Sequence, residues 1–371
     1  MMNYIAVGCD VHEDNLLCRW AHNLDKPQER SFPNTNGGRK AMTRFFQRSG
    51  EQAEDAKIAI AYEASYLGFS LYDEWADAGF TCKVLAPTRI THSPSQRKRK
   101  TDSRDADRIL ELVRGHLFAG NSLPAIWIPD LQTRDDRELV RMRLDIGGRI
   151  TTVKTQIHFL LKRTKCRKPR TVGKPWTKGH VEWLSSLTEP ASKAPANVRV
   201  ILASLIRQWN MLEKECAILE KQIKPLSLTT RYAHPAAELT KENGVGILTA
   251  MVFLTEMGDL SRFRNRQQVG AYLGLVPSSH ESGKHPDRKG HITHQGSPRV
   301  RHVLCQAVWA RVRTSPQTAN VYERIVARNP KHKNIAVVAV MRRLAIKMWH
   351  VGREAQRAAG VFAIPAVSSA A

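Results

Sequence analysis

The sequence lacks paired cysteines and long apolar runs. Its six cysteines lie far apart and form no CxxC pair, which disfavours a zinc or redox centre and favours reduced thiols. No apolar stretch approaches the ~18 residues that a membrane span needs. The amino terminus "MMNYIAVGCDVHED" reaches acidic residues too early for a signal peptide. We therefore expect a soluble, cytoplasmic protein without a membrane partner.

Acidic residues are scarce relative to basic ones. The 371 residues include 58 Lys and Arg against 34 Asp and Glu, which gives a formal net charge of +24. A charge of this size favours a polyanionic partner, and nucleic acid is the leading candidate. Residues 1–90 nevertheless carry a net charge of −2, so the rest of the chain carries +26. This division indicates a catalytic module joined to strongly basic binding surfaces.

The chain is long enough for two or three domains, and its first part has an α/β pattern. The segments "YIAVGCDV" and "NLLCRWAH" predict a hairpin, and "KIAIAYEAS", "SLYDEWADAGF" and "TCKVLAP" follow as strand, helix and strand. A further helix is predicted in "SRDADRILELVRGHL". Residues 1–130 are therefore expected to form a mixed α/β domain.

Residues 131–230 change to long helices. Apolar residues recur at steps of three and four in two rows, one being Ile146, Ile150, Val153, Ile157 and Leu160, and the other Leu202, Leu205, Trp209, Leu212, Cys216, Leu219 and Ile223. This rhythm predicts a coiled-coil stalk that can dimerise, and the alternative is an ordinary helical hairpin packed on a core. The basic connection between the two helices, Lys162 to Lys174, is a candidate to bind RNA or DNA.

Residues 231–371 are expected to form a mainly α-helical domain. Two helical runs flank a glycine turn at Gly244 to Gly246, and a loop rich in Gly, His, Lys and Arg precedes two basic helices. The histidines of this loop have irregular spacing and no cysteine partner, so phosphate contacts or a solvated loop are favoured over zinc. These are His280, His285, His291 and His294.

Four acidic residues are placed so that their side chains can form a metal site. Asp10 ends the first strand, Glu63 ends a later central strand, and Asp102 and Asp105 lie on the helix that follows. Carboxylate oxygens suit Mg²⁺ or Mn²⁺, and such ions assist phosphodiester chemistry. Each residue alone also has a structural explanation, such as a helix cap for Asp102, and Asp107 can exchange roles with Asp105.

Basic residues near these carboxylates and in the carboxy-terminal loop are predicted to contact phosphates. The run that ends two positions before Asp102 consists of Arg97, Lys98, Arg99 and Lys100. The carboxy-terminal group consists of Lys284, Arg288, Lys289, Arg299 and Arg301, for which a merely solvated face is the alternative.

Two groups of motifs resemble one known family. The first comprises "VGCDVHED", "IAYEAS" and "KTDSRDADRIL", and the second runs from "NGVGILTAMVFLTEMGDL" through "SSHESGKHPDRKGHITHQGSPRVRHVL". With both, the chain resembles the DEDD transposases of the insertion-sequence-110 family, bridge-RNA-guided serine recombinases of mobile elements. The resemblance runs over most of the chain. It departs from the commoner pattern at Asn243, where proline is usual, and at His294, where lysine is frequent.

The resemblance implies a RuvC-like, RNase H-type domain whose catalytic metal ligands are Asp10, Glu63, Asp102 and Asp105. It also implies that Ser282 attacks a DNA phosphodiester and forms a covalent phosphoserine link. On composition alone, Ser278, Ser279 and Ser297 are rivals of Ser282. The implied partners are donor and target DNA, a structured guide RNA, and further copies of the chain in a homodimer that becomes a tetramer on DNA.

Two other functions remain open at this point. A hydrolytic RuvC-type nuclease acting on branched DNA explains the carboxylates but gives the carboxy-terminal domain no task. A nucleic-acid-binding protein without enzymatic activity explains the charge and makes the acidic residues structural.

Overall fold

The computed structural model describes residues 3–90, 102–279 and 289–362. The chain divides into two compact units, residues 1–128 and 129–371. The boundary that the sequence places between residues 230 and 231 remains a prediction inside the second unit. No helix within the described ranges is both long enough and apolar enough to cross a membrane.

The first unit contains a five-stranded mixed sheet with helices on both faces. Its elements are β1 (Tyr4–Val11), β2 (Asn15–His22), β3 (Gln28–Pro33), α1 (Asn36–Gln52), β4 (Lys57–Glu63), α2 (Ser70–Asp77), β5 (Thr81–Leu85) and α3 (Asp102–Ala119). The strand order is β3-β2-β1-β4-β5, and β1 pairs antiparallel with β2 and parallel with β4. The predicted hairpin and β-α-β pattern are confirmed, and the sheet is compatible with an RNase H-like domain.

The two faces of the sheet differ in the size of their side chains. One face carries large apolar residues such as Ile60 and Tyr62, which pack with Phe46 of α1 and Trp75 of α2. The opposite face carries small residues, Ala6 of β1 and Ala59 and Ala61 of β4. These residues pack against Ile109 and Leu110 of α3. Small residues allow the helix to approach closely, so α3 lies directly on the central strands.

The second unit is mainly α-helical. Its elements are α4 (Leu131–Arg163), α5 (Lys178–Ser186), α6 (Ala196–Leu226), α7 (Ala233–Thr240), α8 (Ile247–Met257), α9 (Arg266–Tyr272), β6 (Pro277–Ser279), β7 (Lys289–Ile292), α10 (Pro298–Thr314), α11 (Pro316–Arg328) and α12 (Lys333–Ala358). Helix α8 is its most buried element, and residues of α4, α7 and α10 pack around it. The two helical runs predicted around the glycine turn are confirmed as α7 and α8.

Helices α4 and α6 form a hairpin in which the two predicted apolar rows meet. The buried residues Ile150 and Ile157 of α4 share a core with Leu202 and Leu212 of α6. The row on α6 is therefore covered within one chain. Apolar side chains on the outside of the hairpin remain exposed, including Phe159, Ile201, Met211 and Ile218.

The first turns of α4 are fixed to the helical core by polar contacts. Asp130 caps the helix by accepting a hydrogen bond from the Thr133 N–H at 2.8 Å. The buried Asp136 accepts a hydrogen bond from the Tyr232 hydroxyl at 2.7 Å. The next residue, Arg137, donates to the backbone oxygen of Thr255 in α8 at 3.0 Å.

A bidentate ion pair also joins α4 to α8. Arg141 Nε lies 2.7 Å from Oε1 of Glu256, and Arg141 Nη2 lies 3.2 Å from Oε2. The Glu256 side chain is only 6% exposed, and its hydrogen bonds to Arg141 raise the pKa of the guanidinium despite burial. The pair supplies the hydrogen bonds that a buried carboxylate requires.

Candidate metal and nucleic-acid site

Two of the predicted carboxylates lie at the same edge of the sheet. Cys9 and Tyr62 are the last paired residues of the parallel strands β1 and β4, and Asp10 and Glu63 follow them directly. Side chains alternate between the faces of a strand, so both acids point to the face on which α3 packs. Parallel strands thus bring the ends of two sequence motifs together.

Helix α3 brings Asp102 to this edge. His12 Nε2 lies 3.1 Å from Oδ2 of Asp10 and 3.5 Å from Oδ1 of Asp102. One ligand atom from each of these three residues lies within 4.8 Å of the others, a spacing that a metal ion can bridge. Asp10 is largely covered, whereas the side chains of His12 and Asp102 are about half exposed. The cluster can therefore be reached by a phosphodiester.

The electrostatics of the cluster fit a cation. Burial raises the pKa of Asp10, the nearby Asp102 and Asp105 carboxylates raise it further, and His12 lowers it. Several carboxylates that repel one another in partial burial are stabilised by a positive charge placed between them. Oxygen-rich ligand sets suit Mg²⁺ and Mn²⁺, and the residues present fit such an ion.

The choice between Asp105 and Asp107 follows from their different neighbours. Asp105 acts electrostatically on Asp10 and accepts a hydrogen bond from Arg108 at 3.3 Å, one turn later in α3. Asp107 instead forms an ion pair with Arg19 of β2, with Nε and Oδ1 2.5 Å apart. The structure therefore groups Asp105, rather than Asp107, with Asp10 and Asp102.

His12 is a residue of the cluster that the sequence analysis did not select. It follows Asp10 by two positions, and residues two apart in extended backbone share a face. This alternation was the sequence signal that could have placed His12 beside Asp10. Without a metal, the imidazole can donate one hydrogen bond and hold the two aspartates at a fixed separation.

Gly8 determines how closely α3 can approach this edge. A Cβ atom added to Gly8 would lie 2.3 Å from the backbone oxygen of Ala106 and 2.3 Å from the backbone nitrogen of Leu110. Both atoms belong to the α3 backbone, so no side-chain rotation can relieve the contact. The spacing between Asp10 and the first turn of α3 therefore depends on the missing side chain.

We expect Gly8→Ala to lower the free energy of unfolding by about 1–3 kcal/mol and to weaken divalent-metal binding, because α3 must move away from β1. Thermal unfolding and a Mn²⁺ titration measure the two effects. Gly37→Ala is the matched control, since an added Cβ there has nothing within 4 Å. Equal behaviour of the two variants would contradict the positioning role of Gly8.

Several predicted residues lie outside the described residues. They are Arg97, Lys98, Arg99 and Lys100 before α3, and Ser282, Lys284 and Arg288 between β6 and β7. The described backbone on either side of the second group pairs antiparallel, with Ser279 opposite Lys289. Ser282, the predicted nucleophile, lies between these two strands in the sequence.

Two predicted phosphate contacts are engaged within the chain. Arg299 Nη2 lies 3.1 Å from each carboxylate oxygen of Asp145 on α4. Arg301 donates to the backbone oxygens of Leu273 and Gly296, both at 3.1 Å. Arg301 therefore fixes the backbone near the base of the β6–β7 pair, and any phosphate contact would compete with these bonds.

Comparison with known proteins identifies the class of this chain. Residues 7–166 match the family model of DEDD transposases of the IS110 type, described as "Transposase". Residues 236–323 match the family model described as "Transposase IS116/IS110/IS902 family". The first match contains all four predicted carboxylates, and the second contains Ser282. The chain belongs to the IS110 family of DEDD transposases, which act in the transposition of mobile insertion elements.

Individual relatives cover most of the chain. "Putative transposase y4qE" of Sinorhizobium fredii is 28% identical over 329 residues, which is 81% of this chain and 76% of the relative. "Transposase for insertion sequence element IS1533" of Leptospira borgpetersenii is 24% identical over 83% of this chain and 86% of the relative. "Probable family 20 transposase" of Pseudomonas aeruginosa is 26% identical over 78% of this chain and 82% of the relative.

Proposed function

We propose that the protein excises and inserts its mobile element by metal-assisted DNA strand exchange through a covalent phosphoserine intermediate, with a structured RNA as guide. The observation that carries the proposal is the convergence of Asp10, His12 and Asp102 at one sheet edge, with Asp105 in its electrostatic range. The chain is a member of a DEDD transposase family, whose members typically use divalent metal.

The acidic cluster is assigned to metal binding. Asp10, Glu63, Asp102 and Asp105 would hold Mg²⁺ or Mn²⁺, which would supply a Lewis acid for the negative charge on phosphate oxygens. His12 orients Asp10 and Asp102 through the contacts of its Nε2 atom with both carboxylates. The basic run Arg97 to Lys100 is assigned to contact the DNA backbone.

Ser282 is assigned as the nucleophile. Its Oγ forms a bond to phosphorus while the bond from phosphorus to one sugar oxygen breaks, and that oxygen leaves as a hydroxyl after taking up a proton. Rejoining reverses this step, because a sugar hydroxyl attacks the phosphoserine and releases Ser282. Each exchange conserves one phosphodiester and requires no external energy source.

The second unit supplies assembly and binding surfaces in this proposal. We assign residues 131–230 to a coiled-coil stalk and residues 231–371 to the domain that carries the nucleophile. The α6 row is covered by α4 in the same chain. A homodimer would therefore use the exposed outer residues of the hairpin, such as Phe159 and Met211, and two dimers would join as a tetramer on DNA.

A covalent trapping assay tests the chemistry. Purified protein, the RNA of the flanking element, a labelled DNA junction and Mg²⁺ are incubated and separated on a denaturing gel. We expect a protein–DNA band that is absent in Ser282→Ala and present in the control Ser278→Ala. Cut DNA without a covalent band, unchanged by Ser282→Ala, would contradict the proposal and indicate a hydrolytic nuclease.

A further inference from the structure

A pocket bordered by cations lies where the α4–α6 hairpin reverses direction. It is formed by the carboxyl-terminal part of α4, the connection after it and α5, and its volume is about 940 Å³. We call it the tip pocket. The charged side chains that line it are Lys154, Lys162, Lys165, Arg167 and Lys168. Among the described residues that line it, none is Asp or Glu, so the pocket favours an anion.

Aromatic rings form a continuous row along the tip pocket. The ring centroids of Trp176 and His180 are 5.4 Å apart, and those of His180 and Trp183 are 5.5 Å apart. On the other side, Trp176 contacts Trp209 with centroids 5.5 Å apart. Trp176 and Trp183 line the pocket and are only partly buried. Their uncovered surface is therefore available for stacking.

Two of the lysines that line the tip pocket already interact with other groups of the chain. Lys154 Nζ lies 5.1 Å from the centroid of Trp176 and donates to Glu213 at 3.0 Å. Lys168 likewise donates to the backbone oxygens of Val172 and Gly173 within the connection. Both lysines therefore already have partners within the chain. The exposed Lys162, Lys165 and Arg167 are the cations best suited to a ligand.

His180 contributes a neutral polar group. Its Nδ1 accepts a hydrogen bond from the Trp176 backbone N–H at 3.1 Å, which places the ring proton on Nε2. Burial and the charge of Lys168 lower the pKa of His180. The ring therefore stays neutral at pH 7 and offers an N–H donor without adding charge.

We propose that the tip pocket binds unpaired nucleotides of RNA, with bases stacking on Trp176 and Trp183 and phosphates held by Lys162, Lys165 and Arg167. This inference rests on the proposed function for the participation of RNA. To the basic connection predicted from the sequence it adds a defined pocket, base stacking and a preference for unpaired RNA. Aromatic stacking combined with flanking cations is the common mode of single-strand binding. The volume is also within the range of about 300–1,000 Å³ that small-molecule-sized groups occupy.

RNA fits the tip pocket better than duplex DNA for a physical reason. In a duplex the bases are paired and stacked, so their faces cannot reach tryptophan rings without unpairing. Loops and bulges of a structured RNA display unstacked bases. The pocket therefore selects the nucleic acid that presents free base faces.

The test measures binding by the full-length protein without Mg²⁺, using a fluorescein-labelled, unstructured RNA of about 12 nucleotides. Fluorescence anisotropy is recorded between about 50 and 200 mM salt. The tip variant carries Lys162→Gln, Lys165→Gln and Arg167→Gln. The control carries Lys214→Gln, Lys221→Gln and Lys224→Gln, which removes the same charge from exposed positions of α6 outside the pocket.

We expect the tip variant to bind RNA at least about tenfold more weakly and to reduce the salt slope by roughly 2, because each released phosphate contact contributes about 0.7. In the control variant, the affinity for RNA and the salt slope should both stay close to those of the unmodified chain. Trp183→Leu should weaken binding roughly tenfold with an unchanged salt slope, because it removes stacking but no charge. If Trp183→Leu unfolds the tip, Trp183→Phe should retain most of the affinity.

Equal losses in the tip and control variants would overturn the proposal, because binding would then follow net charge alone. Tighter binding of single-stranded DNA of the same sequence than of RNA, with the tip variant affecting only the DNA, would also overturn it. The assay is repeated with Asp10→Asn. Normal RNA binding by that variant separates a failure of the tip proposal from a failure of the proposed chemistry.

Discussion

Asp10→Asn is expected to reduce DNA cleavage and strand transfer by more than about 100-fold. Groups that only support a metal ligand already cost about 10–100-fold when they are replaced, and loss of a direct ligand should exceed that. Asparagine keeps the size of the side chain but removes the charge that a divalent ion requires. Cleavage of a labelled junction in Mg²⁺, quantified on a denaturing gel, measures the effect.

The same replacement should leave the fold as stable as before or make it more stable. Folding raises the pKa of Asp10, so the folded chain binds a proton more readily than the unfolded chain does. Above that pKa the ionised carboxylate therefore opposes folding, and a neutral amide removes this opposition. A loss of activity without a loss of thermal stability is the signature of a site that trades stability for function.

Asp107→Asn provides the matched control for Asp10→Asn. It removes the same charge from α3, but its partner is Arg19 and its side chain is 40% exposed. Breaking an exposed ion pair has a small effect, so cleavage should stay close to that of the unmodified chain. Comparable losses in both variants, or full activity in Asp10→Asn, would refute the proposed metal cluster.

Glu256→Gln should destabilise the second unit by about 2–4 kcal/mol. Removing one partner of a buried ion pair typically costs about 3–5 kcal/mol, because the other charge stays buried without compensation. We expect a smaller loss than this typical cost because the Arg141 side chain is 30% exposed and water can partly solvate it. Urea unfolding of the full chain, followed by circular dichroism, gives the shift in free energy.

Glu138→Gln tests whether the effect of Glu256 arises from burial. Glu138 pairs with the same Arg141 at 3.2 Å, but its side chain is 72% exposed. Its loss should cost no more than about 1 kcal/mol. If both variants lower the stability equally, the ion pair between α4 and α8 has no special structural role.

The fold of the first unit was predictable wherever short apolar runs of β-compatible residues occur. β1, β2, β4 and β5 follow from this pattern, whereas β3 was not predicted. Its sequence "QERSFP" is polar and buries only Phe32, as suits an edge strand that discourages further pairing. Helix α1 was missed as well, although its amino terminus has the cap that sequence can reveal, Thr35 accepting from the Gly38 N–H.

The candidate site was predictable in part. The order of elements indicated that Asp10 and Asp102 could meet, but pairing of Asp107 with Arg19 depends on a contact between residues 88 positions apart. The same limit applies to Arg299, whose partner Asp145 is distant in sequence. Periodicity identified the buried rows of the hairpin, but it could not show that α6 would meet α4 of its own chain. Local sequence patterns predict which residues are buried, but they do not identify the distant residues that these contact.

Helix α4 gives the second unit a mechanical property. It continues without a break from Asp136, which is fixed to the helical core, to Lys162, which lines the tip pocket. At a rise of about 1.5 Å per residue, this segment is about 40 Å long. A rotation of about 10° at its fixed end would move the tip by about 7 Å, the spacing of one or two nucleotides. The helix can therefore act as a lever arm that converts a small rearrangement of the core into a nucleotide-sized displacement of the tip pocket.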